Sequence, residues 1–148
     1  MKKDKLDGDI TEQMFSDACA KIGYRCEKTE ETTDMFDHVD FFIHRPDGTK
    51  TSVDVKHANP DFWVEFLNVR GNEGWLYGKS ELIVYRYKDR FLIIPREHLK
   101  TRAEKLTEKI FLTNKDDAYR KLYRRKNRKD AITKLNLKDI ADIIKFEL

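Results

Sequence analysis

Residues 38–57 read HVDFFIHRPDGTKTSVDVKH, and the fold turns on this stretch. Two runs rich in β-branched and aromatic residues, 38–44 and 51–57, flank a Pro46-Asp47-Gly48 segment, which makes a β-hairpin. Pro46 suits the first central position of a type I turn and Gly48 the left-handed residue after it. A three-residue loop with Arg45 opposite Thr49 follows, so pairing partners sum to 94. That register sets Asp40 opposite Asp54 and His38 opposite Lys56 on one face, with opposed Cβ atoms about 5 Å apart. Val39, Phe41, Ile43, Val53 and Val55 fall on the other face and enter the core. Two opposed aspartates at mid-strand repel unless a cation lies between them. The bland alternative is the solvent face of a half-buried hairpin, where acids and lysines are common.

Outward from the hairpin, apolar residues recur at helical spacing over 10–22, ahead of Gly23, and Asp9 with Glu12 has the spacing of a capping box. Residues 24–28 read as a strand and 30–37 as an acidic loop. A third strand is expected over 61–69, a glycine-rich segment over 71–78, and a second hairpin from 81–87 and 90–95. Residues 96–110 and 116–125 read as helical, 131–135 as a strand and 138–144 as a short helix. The order gives an α/β (α+β) class: one central mixed β-sheet flanked by helices, in a single domain over 1–148. Its core spans about 10–100, and a basic C-terminal extension runs from about 101 to 148.

The chain has 148 residues, enough to bury roughly 70% of the surface its unfolded form exposes. No window approaches the run of about 18 apolar residues that spans a bilayer, and Met1-Lys2-Lys3-Asp4-Lys5 is not followed by a signal segment. A cytoplasmic location with no membrane partner is expected. Cys19 and Cys26 are too few for a disulfide framework and lack zinc-ligand spacing. The net charge of +3 hides an asymmetry. Residues 1–99 hold 15 Lys and Arg against 19 Asp and Glu, while residues 100–148 hold 15 against 8. A polyanionic partner is expected near the basic part, and the acidic part can recruit cations.

An acid two residues before a lysine is weak by itself, since 27 acids and 19 lysines in this length give roughly three such spacings by chance. The hairpin register is what singles out Asp54-Val55-Lys56. Together with Asp40 in His38-Val39-Asp40 and Glu12 on the first helix, this triplet resembles the PD-(D/E)XK nuclease superfamily over about residues 10–100. Val39 stands where the motif has proline, and the middle acid is aspartate. Trp63 to Val69, with Glu65 and Asn68, and Gly74-Trp75-Leu76-Tyr77-Gly78 resemble short phage-encoded members. The resemblance implies a restriction-endonuclease-like core and Mg²⁺ or Mn²⁺ held by Asp40, Asp54 and the Val55 carbonyl, with Glu12 binding directly or through water. Lys56 would then orient or help deprotonate the attacking water and stabilise charge on the scissile phosphate. It also implies DNA as partner, a homodimer that cuts two strands, structure-specific cleavage such as that of Holliday junctions, and a bacterial or phage-infected host cell. The competing reading is a nucleic-acid-binding module on the same fold without catalysis.

Glu12 serves equally well as the capping-box partner of Asp9, and Glu65 is either an additional ligand or a surface acid. His38 and His57 flank the site without an assigned role. Residues 120–129 contain seven cations, Arg120, Lys121, Arg124, Arg125, Lys126, Arg128 and Lys129, with Tyr123 among them. This exceeds what a helix C-terminus uses and suits phosphate contact. Arg70 and Lys79 flank the glycine-rich segment and are candidates for the same contact, while Trp75 reads equally as a core residue.

Overall fold

The computed structural model describes residues 2–30 and 37–148, with side chains from residue 8 onward. The acidic segment expected as a loop over 30–37 therefore lies largely outside the described residues. Helix α1 runs Lys2–Lys21, starting earlier than expected. Asp9 is consequently mid-helix and caps nothing, which removes the capping-box role from Glu12. The error has a physical source: Gly8-Asp9 looks like a helix start, and the polar residues before it carry no apolar periodicity.

Strands β1 (Arg25–Lys28), β2 (Phe41–His44), β3 (Lys50–Ala58), β4 (Phe62–Leu67), β5 (Leu82–Tyr87) and β6 (Arg90–Pro95) follow. Helix α2 (Arg96–Leu106) ends four residues sooner than expected, and β7 occupies Glu108–Leu112. Lys121–Tyr123, expected to be helical, is strand β8. Its neighbour β9 is Ala131–Leu135, followed by helix α3 (Leu137–Ile140), a 3-10 turn, and β10 (Phe146–Glu147). Among the described residues no helix is long and apolar enough to cross a membrane.

Among the described residues these strands build two mixed sheets rather than one. The larger has the order β1-β2-β3-β5-β6-β10, antiparallel except for the parallel pair β3 and β5. The smaller has the order β4-β9-β8-β7. Because β4 leaves the large sheet to pair with β9, the small sheet joins the first hundred residues to the last fifty.

Both faces of the large sheet are covered. On one, Phe15 and Cys19 of α1 pack with Phe41, Ile43, Val53, Val84 and Phe91. On the other, Ile83, Tyr85, Leu92 and Ile94 meet Leu99 and Ala103 of α2, Phe62 and Val64 of β4, and Leu135 of β9. The alternation along β3 is thus as expected for Val53, but the opposite face is a second core, not solvent. Asp54 and Lys56 pair with Ile83 and Tyr85 in the parallel ladder and share that second face.

Candidate functional site

The hairpin turn sets the site. Arg45 N donates to Thr49 O at 2.9 Å and Gly48 has φ +90°, so the three-residue loop forms with its last residue left-handed. The ladder Phe41↔Val53, Phe42↔Ser52, Ile43↔Thr51 and His44↔Lys50 keeps the sum of 94. At Asp40 the pairing departs from it. Asp40 N donates to the Val53 carbonyl at 2.8 Å, although Val53 is the ladder partner of Phe41. Two residues thus face one, the pattern of a β-bulge, which bends the strand and re-aims a side chain.

The re-aimed group is the Asp40 carboxylate, whose Oδ2 accepts from Val55 N at 2.7 Å. The direct opposition of Asp40 to Asp54 is therefore replaced by a reach one residue further along β3. The expected pairing of His38 with Lys56 is also absent from the ladder: His38 has φ +56° and precedes the strand. Thr29, just past β1, holds the bulge from behind. Its amide donates to Asp40 O at 2.9 Å and its hydroxyl to Val39 O.

Asp54 is 2% exposed and Asp40 8%, so neither lies on an ordinary solvent face. Lys56 Nζ lies 3.3 Å from Asp54 Oδ2 and 5.0 Å from the centroid of the Trp75 ring. Burial opposes the Lys56 charge, but the carboxylates of Asp54, Asp40 and Glu65 outweigh it and hold the ammonium above its ordinary pKa. Tyr85, beside Lys56 in the ladder, donates its hydroxyl to Trp63 O at 2.7 Å. Burial, then the Asp54 charge, push its phenol well above the ordinary value, so it stays neutral.

A wall of the site comes from Gly74-Trp75-Leu76-Tyr77-Gly78, a 3-10 turn over Trp75–Tyr77. Glu65 Oε1 accepts from Trp75 N at 3.2 Å. A Cβ on Gly74 would sit 2.6 Å from the Glu65 carbonyl oxygen, and one on Gly78 would sit 2.9 Å from His38 Cβ. Both glycines are needed because β4 and the Asp37–His38 backbone come too close for a side chain. Lys79 N donates to Asp37 O, and its Nζ pairs with Asp37 Oδ1 at 3.5 Å.

The structure thus gathers Asp40, Asp54, Lys56 and Glu65 around Val55 and Trp75. Glu12 belongs to the α1 side and pairs with Lys28 at 3.7 Å. In a β-strand the N–H and C=O of one residue point to the same edge, so the Val55 carbonyl lies on the side of the Asp40 carboxylate. Two carboxylates and a carbonyl are hard oxygen donors of the kind Mg²⁺ takes while keeping several waters. Among the described residues no three His, Cys, Asp or Glu side chains are grouped to hold a metal ion. An ion here would rest on Asp40, Asp54, the carbonyl and water.

Comparison with protein-family models, with curated proteins and with solved structures gave no match in any of the three.

The basic run lies on the β8–β9 hairpin instead of a helix end, and its seven cations divide into two sets. Arg120 pairs with buried Asp139, and Arg125 Nε lies 2.6 Å from Oδ2 of the fully buried Asp130. Arg124 Nε donates to Asp130 O at 2.9 Å, its guanidinium lies 4.1 Å from the Phe111 ring centroid, and Lys121 is half-buried in β8. Arg120 and Arg125 thus neutralise buried aspartates, while Arg124 remains exposed over Phe111. Lys126, Arg128 and Lys129 are exposed at the turn, and Lys129 N donates to Val69 O at 3.1 Å. That contact sets exposed Arg70 beside them, which its distance in sequence did not suggest.

Trp75 is 7% exposed and belongs to the core, one of the readings its sequence offered, whereas Thr29 and Tyr85 were not singled out. The glycine spacing around Trp75 was the available signal for its turn.

Proposed function

We propose that this chain is a divalent-metal-dependent endonuclease that hydrolyses DNA phosphodiester bonds, with Asp40, Asp54 and the Val55 carbonyl holding Mg²⁺ or Mn²⁺. The observation that carries the reading is the bulge at Asp40, which turns a buried carboxylate onto Val55 between Asp54 and Lys56. A buried acid pair is a costly arrangement for stability alone, and such local conflicts belong to functional sites.

Asp40 and Asp54 supply the negative charge that retains a cation, and the Val55 amide fixes the Asp40 carboxylate before substrate arrives. A bound Mg²⁺ or Mn²⁺ supplies Lewis-acid polarisation of the scissile phosphate and acidifies water. Lys56, held cationic and packed on Trp75, offsets charge developing on the phosphate and orients the attacking water. Glu65 positions the Trp75 turn by accepting from Trp75 N, and its charge helps to hold Lys56 cationic. Arg70, Lys126, Arg128 and Lys129 give an exposed cationic patch for the DNA backbone. Pairing of two copies to cut both strands, and work in the cytoplasm of a bacterial or phage-infected cell, belong to the same reading. So does a preference for branched DNA.

The test is cleavage of branched, double-stranded and single-stranded DNA with Mg²⁺ or Mn²⁺, lost in Asp54→Asn and Lys56→Ala while DNA binding persists. A wild-type protein that binds DNA but cuts none of these with either ion is instead a nucleic-acid-binding module. That second reading has one observation in its favour, the lack of a third side-chain ligand grouped with the two aspartates among the described residues.

A further inference from the structure

Behind the Trp75 turn lies a cavity of about 430 Å³, between the small sheet and the end of α2. Its size is in the range of small-ligand sites, roughly 300–1,000 Å³. Its lining includes three aromatic rings, Phe66, Tyr77 and Phe111, together with Glu73, Glu104 and Thr107. Phe66 and Tyr77 stand 6.4 Å apart between ring centroids, and Phe111 is 49% exposed. The Tyr77 hydroxyl donates to Glu104 at 3.2 Å, and the Thr107 hydroxyl is buried without a hydrogen-bond partner among the described residues.

These features define the ligand by chemistry. Flat apolar faces suit an aromatic ring system, and carboxylates of Glu73 and Glu104 accept hydrogen bonds from amino groups while repelling phosphate. Cations stand nearby: Lys109 also lines the cavity, and Arg124 stacks on Phe111. Phe66 directly follows Glu65, and Tyr77 shares its turn with Trp75, whose ring covers Lys56. The cavity and the Asp54 centre therefore lie against the same short turn.

We propose that this cavity seats one unstacked nucleobase with an exocyclic amine, adenine or cytosine, of a DNA strand whose phosphates run over the basic turn. Aromatic stacking of unpaired bases is the common way proteins hold single-stranded segments. The inference rests on the reading of the chain as a DNA-acting protein. It narrows the substrate to DNA with an unpaired base near the scissile bond.

The experiment measures binding of duplexes that differ by one bulged 2-aminopurine, with Ca²⁺ in place of Mg²⁺. The expected result is about tenfold tighter binding of the bulged duplex, with quenching of the 2-aminopurine emission. In Phe111→Ala the preference should fall to about twofold or less, and Glu104→Gln, of nearly unchanged shape, should weaken it about threefold. Circular dichroism checks that both variants are folded. Equal binding of bulged and paired duplexes by the wild type, or a preference unchanged in Phe111→Ala, overturns the inference. So does saturable binding of adenosine 5′-monophosphate as tight as that of the bulged duplex, which would assign the cavity to a free nucleotide.

The two readings fail separately. A bulge preference without cleavage in Mg²⁺ or Mn²⁺ removes the nuclease and keeps the base seat. Cleavage without a bulge preference does the reverse.

Discussion

The Asp40 carboxylate accepts a hydrogen bond from the Val55 amide at 2.7 Å, across the open end of a hairpin whose ladder stops at Phe41. One acid thus terminates the strand pairing and satisfies a backbone donor that the ladder has abandoned. Its position is held by the bulge and by Thr29, so it is set before any ligand arrives.

Asp40→Asn and Asp40→Ala should behave differently. Asparagine keeps an acceptor for Val55 N and should leave thermal stability nearly unchanged, while lowering Mn²⁺ affinity and cleavage by at least about 100-fold. Alanine leaves the amide unsatisfied and should cost about 1–3 kcal/mol by urea unfolding. Equal stability of the two variants would show that the bond contributes nothing.

Lys56 offsets the buried Asp54 charge. Lys56→Ala should destabilise the fold by about 2–3 kcal/mol, because the buried Asp54 carboxylate loses the ammonium 3.3 Å from its Oδ2. Adding Asp54→Asn should recover part of that loss, with a coupling of about 1 kcal/mol or more in a double-mutant cycle. Additive effects would mean that the pair is not coupled.

Two glycines give opposite expectations. Gly74→Ala forces a Cβ to within 2.6 Å of the Glu65 carbonyl oxygen and should cost about 2 kcal/mol or more, with altered Trp75 fluorescence. Gly8 lies in α1 with nothing within 4 Å of the place a Cβ would take, so Gly8→Ala should stabilise by about 0.5–1 kcal/mol. Thermal denaturation of both proteins checks the sign.

The basic run should separate into two classes of phenotype. Neutralising Lys126, Arg128 and Lys129 should leave the melting temperature within a degree or two and reduce the salt dependence of DNA binding by up to about three phosphate contacts. Arg125→Ala should instead destabilise by about 3 kcal/mol, since it strands the fully buried Asp130. A stable Arg125→Ala protein with weakened DNA binding would reverse the assignment.

Acid stability should depend on Asp139. Burial alone would raise its pKa, but Arg120, the Asn136 amide and Tyr119 hold the carboxyl below its ordinary value. The unfolded chain therefore binds its proton first as pH falls. The stabilisation is full above the unfolded pKa near 4 and is lost as pH drops through the lower folded value. Asp139→Asn should unfold more easily at pH 7 and lose less further stability from about pH 5 downward, as measured by urea midpoints. Parallel pH profiles for the two proteins would refute the linkage.

Much of the hairpin was legible because its information is local. Pro46 and Gly48 dictate a three-residue turn, the turn dictates register, and a period of two assigns the faces of β2 and β3. The hairpin of β5 and β6 and the strand at 131–135 were readable for the same reason. Where neighbours far along the chain decided the outcome, the reading failed: 108–112 and 121–123 carry charged patterns that look helical, yet they join β9 in a sheet. Their side-chain periodicity says nothing of the long-range pairing that makes them strands.

By itself the sequence determined the α+β class, the turn and register at Arg45 to Thr49, and the acids and lysine carried by the two strands. Only the tertiary structure decided that Asp40 leaves the ladder, that Asp54 and Lys56 face a second core, and that Arg120 and Arg125 pair with buried aspartates while Arg70 joins the basic turn. Turn and register depend on backbone dihedrals within a few residues, whereas burial and charge pairing depend on segments brought together from opposite ends of the chain.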